Sequence, residues 1–328
     1  MPRIGMNPAR GKTTDYKPAR VTVAVLTFLP NTEGYFQNRF DVTRLCIESI
    51  LANTPEPYDL LVYDNGSAPQ LVDYLCELRE AGRIDYLILS GQNIGKIGAL
   101  RIIFNAAPGE VVAYTDDDVF FMPGWLDEHL KVLDTYPKTG MVTGIYLRDH
   151  MAENIGSTLK FAEDPQVNAQ KGDLFPLKWQ EHYANNTGRT WERYLEETRG
   201  LEDVLLNYNG VPALVSAGHH QFVAPKKAIL EALPSEWSGA LMGKMRDMDA
   251  AVDRLGYLRL CVPEPPTRLL GNLISPEMAE EAHLNGVETH GVEVKQNRPG
   301  LMTSIFRSKP VRWLAYAVYN RLYKIINA

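Results

Sequence analysis

The chain has 328 residues, 45% of them hydrophobic and 23% charged, proportions that allow a substantial buried core. A formal net charge of −6 argues against a general nucleic-acid binder, which needs a basic face. Three cysteines without paired spacing (Cys46, Cys76 and Cys261) point to reduced, packed thiols and a cytoplasmic setting.

Residues 1–20 read as a flexible tail without an apolar signal segment, and no later run approaches the roughly 20 apolar residues of a membrane span. Residues 21–28 (VTVAVLTF) are a near-continuous apolar run, the pattern of a strand covered on both faces. A loop over 29–40 follows, and Asp41 is placed to cap a helix with Val42, Leu45, Cys46 and Ile50 at amphipathic spacing. Residues 59–63 predict a second strand ending in Asp64-Asn65-Gly66-Ser67, 69–80 a helix, and 84–89 a third strand. A glycine-rich bend over 91–98 leads into a helix near 99–106. Residues 111–114 predict a fourth strand, 125–135 a helix and 141–146 a fifth strand. After Tyr146 the pattern loosens: 148–185 is polar and loop-rich, and 190–208 carries helical spacing. Residues 211–215 predict a strand that runs on into 216–223. Helices over 226–233 and 241–255 and a strand over 257–262 complete the core. Residues 307–328 are amphipathic, with Leu314, Val318, Leu322 and Ile325 on one face and Arg312, Arg321 and Lys324 on the other. That segment suits a helix in a membrane interface, or one packed on its own domain or on a second copy.

Strand and helix alternate five times, which predicts a parallel, doubly wound sheet whose ligands bind outside the carboxyl ends of the strands. Thr27, Asp64, the 91–98 bend and the triplet Asp116, Asp117 and Asp118 all fall on that edge. Two unit charges 4 Å apart interact by roughly 4 kcal/mol at an effective dielectric of 20, so three adjacent carboxylates call for a cation. A hard divalent ion held by one or two carboxylates and a phosphate meets the need; a solvated turn is the plainer alternative.

In order along 21–262 come Thr27, the 64–67 turn, Asn93-x-Gly95, Asp116-x-Asp118 and Pro123-Gly124-Trp125. Gly218 with Phe222, Asp247-Met248-Asp249 and Gly256-Tyr257 follow. With these elements the chain resembles the family 2 glycosyltransferases of the GT-A type. The resemblance implies an α/β fold with a Rossmann-like, mostly parallel, doubly wound sheet, an acceptor-side α/β extension and a C-terminal amphipathic helix. It divides the chain into a tail (1–20), a nucleotide-sugar-binding half (21–125), an acceptor-binding and catalytic half (126–275) and an extension (276–328).

The function it implies is metal-dependent transfer of a sugar, as by a hexosyltransferase, from a nucleotide-diphosphate sugar to a hydroxyl acceptor. That acceptor is a glycan, a lipid-linked molecule or a small molecule, and the reaction an inverting direct displacement. Thr27 and Asp64 would lie at the nucleoside, with Asn93, Gly95, Lys96, Asp116 and Asp117 on the rest of the donor. Asp116, Asp118 and the late His290 would hold Mn²⁺ or Mg²⁺. Asp247 aligns with the general base, with Asp249 as substitute because Arg246 stands where a glutamate usually precedes it.

Each role has a structural alternative. Asp64 can hold the turn at Gly66, Lys96 can be an exposed lysine, and His290 a surface histidine. Asp247 and Asp249 also suit the start of a helix. His219 and His220 fall beside the expected acceptor cleft, and Trp237 either stacks on a sugar or packs in the core. The long 29–40 segment, with Tyr35, Phe36 and Arg39, would form a lid over the nucleotide or an acceptor contact. With no dense basic cluster near the proposed pyrophosphate site, the metal is expected to carry the neutralisation. A sugar-nucleotide pyrophosphorylase and a catalytically silent glycan-binding protein are the competing readings. The first usually has a basic glycine-rich loop after its first strand, where 29–40 holds one glycine and one arginine. No nucleic-acid partner is expected, whereas a homodimer and peripheral membrane contact through 307–328 are both compatible with the sequence.

Overall fold

The computed structural model describes residues 5–234 and 239–289. From β1 (Val21–Thr27) the chain passes a 3-10 turn (Gly34–Phe36) into α1 (Arg39–Asn53), β2 (Asp59–Asp64) and α2 (Pro69–Glu80). β3 (Tyr86–Leu89), α3 (Lys96–Ala106), β4 (Val111–Asp116), β5 (Val119–Phe121), α4 (Trp125–Thr135) and β6 (Thr139–Thr143) follow. Next come α5 (Gly156–Phe161), β7 (Asn168–Gly172), α6 (Leu177–Asn186), α7 (Trp191–Glu197), β8 (Asp203–Tyr208), β9 (Val211–Val215) and β10 (Gln221–Pro225). The described chain closes with α8 (Lys226–Ala232), α9 (Met245–Arg254), β11 (Leu258–Cys261), β12 (Thr267–Leu269) and α10 (Pro276–Leu284).

Ten strands form one sheet in the order β3-β2-β1-β4-β10-β6-β11-β9-β8-β7. Seven of them (β3, β2, β1, β4, β6, β11 and β8) point the same way, and β10, β9 and β7 oppose them. The mostly parallel, two-faced α/β arrangement expected from the sequence is therefore present. Its cause is visible in β1, which is buried at every position. Val21, Val23 and Val25 face a core shared with α1, α2 and α4, whereas Ala24 and Leu26 face a second core shared with α3, α8 and α9. A strand whose two faces both meet helices has no polar alternation to show.

Several expectations need correction. The 148–185 stretch is not loop alone but contains α5, β7 and α6, and the helical reading of 190–208 holds only for α7. β8 replaces the rest, because its Val204 and Leu206 pack into the core through antiparallel pairing with β7 and β9. The strand predicted to run on past Val215 stops there at Ser216, whose φ is +101°, and β10 is a separate strand inserted between β4 and β6. Helix α1 starts at Arg39 with Asn38 before it, so Asp41 lies in its first turn rather than at its cap. Leu241, read as part of a helix, precedes α9 and is 63% exposed. All three cysteines are unpaired; Cys46 and Cys261 are buried as expected, whereas Cys76 is only half-buried. No helix among the described residues is long and apolar enough to cross a membrane. Trp237, His290 and the amphipathic 307–328 segment lie outside the described residues.

Candidate active site

β1 sits between β2 and β4, so the chain leaves it toward one sheet edge first and returns to its other side later. That reversal makes the crevice at the carboxyl ends of β1 and β4 the natural ligand site of the sheet. Register places Thr27 beside Asp64 and Leu26 beside Asp116. A cleft of about 340 Å³ opens there, with Phe28, Arg39, Lys96, Asp116, Asp117 and Asp118 among its walls.

The three carboxylates are not equivalent. Asp117 is buried and fully engaged: it pairs with Arg39 Nη2, and its Oδ2 accepts from Thr43 Oγ1 at 2.9 Å and from the Phe28 amide at 3.4 Å. Asp116 accepts from Lys96 Nζ at 2.6 Å and from the Tyr114 hydroxyl at 2.6 Å. Burial works against its ionisation, but Lys96, His220 and the Tyr114 hydroxyl together hold the carboxyl below its ordinary value. Asp118 accepts from Arg39 Nη1 at 3.0 Å and keeps 28% of its side chain exposed. Burial, with Asp116 and Asp117 alongside, pushes its carboxyl up to about 6 in spite of Arg39.

Three carboxylates thus face two cations, and one negative charge is left over. Neither counter-charge is evident from the sequence alone. Lys96 is drawn inward, with 11% of its side chain exposed, and Arg39 is buried. The one clue to Arg39 was its place as the only cation in the 29–40 segment.

Thr27 and Asp64 lie under the cleft rather than in its wall. Both are buried; Thr27 Oγ1 donates to Asp64 Oδ1 at 3.1 Å, and Asp64 Oδ2 accepts from the Gly66 and Ser67 amides at 3.1 and 2.9 Å. Asn65 and Asn93 line the cleft and bond each other at 3.0 Å. Asn93 Oδ1 also accepts the Gly95 amide at 2.8 Å, which shapes the bend that delivers Lys96.

The cleft continues past Met242 into a cavity of about 480 Å³ lined by His219, Arg246 and Asp247. Asp247 is exposed in the first turn of α9. Asp249, two residues on, is buried and 2.8 Å from His219 Nδ1. The structure places the two carboxylates, read as base and substitute, differently: Asp247 borders the cavity, and Asp249 stands behind a histidine.

The model of the family described as Glycosyl transferase family 2 matches residues 36–197. An uncharacterized glycosyltransferase from Nostoc sp. (strain PCC 7120) is 31% identical over 96 residues, which cover 29% of this chain and 30% of that protein. The chain thus aligns with less than a third of that relative. Among solved structures, GalNAc-T7 with UDP, GalNAc and Mn²⁺ is similar at a TM-score of 0.45 and 12% identity, over 80% of this chain and 48% of that one. S. aureus TarS 1-349 is similar at 0.44 and 11% identity, over 75% and 58%. The matched stretch holds α1 and its Arg39, the 64–67 turn, the Asn93 bend and the carboxylate triplet. The match to glycosyl transferase family 2 thus takes in residues 36–197, just under half of the chain.

Proposed function

We propose that this protein is a glycosyltransferase that takes a nucleotide-diphosphate sugar as donor and passes the sugar to a hydroxyl acceptor by direct displacement. The observation that carries the reading is the triplet at the β1–β4 switch point, where Lys96, Arg39 and the part-exposed Asp118 face one cleft. A diphosphate needs positive charge close to its oxygens, and both side chains supply it. Lys96 and Arg39 bind and orient the diphosphate, and Asp117 holds Arg39 in place. Asn65 and Asn93 border the same cleft, while Thr27 and Asp64 act on the nucleoside end by fixing the turn under it.

The residues fit Mn²⁺ or Mg²⁺. Among the described residues no group of three His, Cys, Asp or Glu could hold a metal ion. These hard ions need only one or two carboxylates when substrate phosphate and water complete the shell. Asp118 would hold the ion, with Asp116 as the second oxygen ligand, and the leftover negative charge favours it. When bound, such an ion neutralises charge on the departing diphosphate. Tyr35 and Phe36 border the same cleft.

The reading is tested by thermal unfolding with UDP-, GDP-, CDP- and dTDP-sugars, each with and without Mn²⁺. One diphosphate should raise the midpoint only with metal, by several degrees, since a hundredfold excess over Kd stabilises by about 2.7 kcal/mol. Asp118→Ala should lose that shift. No shift with any donor, metal present, would contradict the reading.

A further inference from the structure

Beyond Met242 the cleft meets a histidine backed by a buried carboxylate. His219 Nδ1 lies 2.8 Å from Asp249 Oδ2, and the Asp249 side chain is 1% exposed. The same oxygen is 3.9 Å from His150 Nδ1 and 3.8 Å from Arg259 Nη2. His219 keeps 14% of its side chain exposed and lines two adjoining cavities, of about 480 and 390 Å³. With Nδ1 committed to a carboxylate, Nε2 is the ring nitrogen left for a solute. A buried carboxylate at Nδ1 fixes the ring and stabilises the imidazolium.

We propose that His219 Nε2 is the group that takes the proton from the attacking hydroxyl, with Asp249 as its positioning residue. The assignment rests on the transferase reading above. In the step, the acceptor O–H gives its proton to Nε2 and its oxygen bonds to the anomeric carbon. The bond from that carbon to the diphosphate oxygen breaks, and its electron pair leaves with the nucleoside diphosphate. The imidazolium formed is balanced by the Asp249 carboxylate.

Its neighbours are poorer candidates. His220 stacks on His219 with ring centroids 4.6 Å apart, but burial drives its protonation down to about 3. His150 is buried and likewise held at about 3. Asp249 is too enclosed to touch an acceptor. Asp247, Lys244 and Arg246 line the cavity beside His219, and Asp247 is the competing base.

The test is Mn²⁺-supported donor hydrolysis with water as acceptor, followed as nucleoside diphosphate release from the sugar nucleotides of the panel above. His219→Gln and His219→Ala should lower kcat by about 10²- to 10⁴-fold and leave the donor-induced thermal shift intact. Added imidazole should restore part of the His219→Ala rate, which a merely structural role would not produce. Asp249→Asn should lower kcat while the donor KM and the donor-induced thermal shift stay unchanged. Should His219→Gln or His219→Ala fail to fold, an Asp249→Asn kcat near wild type overturns the assignment. A His219→Gln rate near wild type, with Asp247→Asn inactive, overturns the assignment and leaves the transferase reading standing. A wild-type chain that neither binds nor hydrolyses any donor overturns both.

Discussion

Arg39 is the residue on which the carboxylate triplet depends. Its guanidinium bridges Asp117, Asp118 and the Gly271 carbonyl from a buried position. Removing one partner of a buried ion pair leaves the other charged and unpaired, at about 3–5 kcal/mol. Arg39→Met should therefore lower unfolding free energy by that order in urea titration, and Arg39→Lys should recover only part because it lacks the two-pronged geometry. The triplet itself was legible in the sequence, because a buried strand running into three aspartates is a local pattern. Its counter-charge was not, since Arg39 and Asp117 are 78 residues apart and meet only through the packing of α1 against β5. The His219–Asp249 contact, spanning 30 residues, was hidden for the same reason.

A second residue-scale consequence concerns pH. His129 is buried, with Nδ1 2.7 Å from the Trp125 carbonyl, and burial lowers its protonation from 6.5 to about 4. Between those values the unfolded chain binds a proton that the folded one does not, so stability rises with pH across that window and is lost on acidification. His150 and His220, both at about 3, act in the same direction. The urea midpoint should fall as pH drops from about 7 to 5, and His129→Gln should make the dependence shallower. Asp118, held up to about 6, takes up a proton in the folded state over the same range and offsets part of the fall, so a midpoint that rises on acidification would contradict the burial of the three histidines.

At the scale of elements, the site depends on two turns that bring loops close together. Gly66 has a φ of +84°, and a Cβ there would lie 2.7 Å from the Gln92 carbonyl carbon. Gly95 has a φ of +77°, and its Cβ would lie 2.8 Å from the Ala240 carbonyl oxygen, beside the 2.7 Å bond from the Lys96 amide to Leu241. A left-handed backbone alone costs a side chain about 1–3 kcal/mol. Gly95→Ala should lower the thermal midpoint and weaken donor binding together, because it displaces both the Lys96 turn and the 240–241 segment. Unchanged donor affinity in a stable Gly95→Ala protein would show that this bend does not shape the site. Both glycines announced themselves in the sequence as turn residues. The identity of the segment that Gly95 approaches did not, because 240–241 lies far along the chain and outside any regular element. The antiparallel strands were hard to read for a related reason. β10 is short, follows β9 closely, and owes its place to partners β4 and β6.

For the molecule as a whole, a net charge of −6 opposes the diphosphate donor of the proposed function, and Lys96, Arg39 and a divalent ion in one cleft would offset that locally. Chelation should therefore weaken donor binding at least about tenfold, or ~1.4 kcal/mol, in calorimetric titration. Metal-independent affinity would mean that the two side chains suffice. In the proposed function, these groups hold the diphosphate at the β1–β4 switch point. The most direct test is a crystal structure with the donor selected by thermal shift and Mn²⁺, read by manganese anomalous scattering. The expected result is a manganese peak in coordination contact with Asp118 and the diphosphate, with phosphate oxygens within hydrogen-bond reach of Lys96 or Arg39. A donor bound elsewhere, with Asp118 still paired only to Arg39 and no manganese beside it, would contradict it.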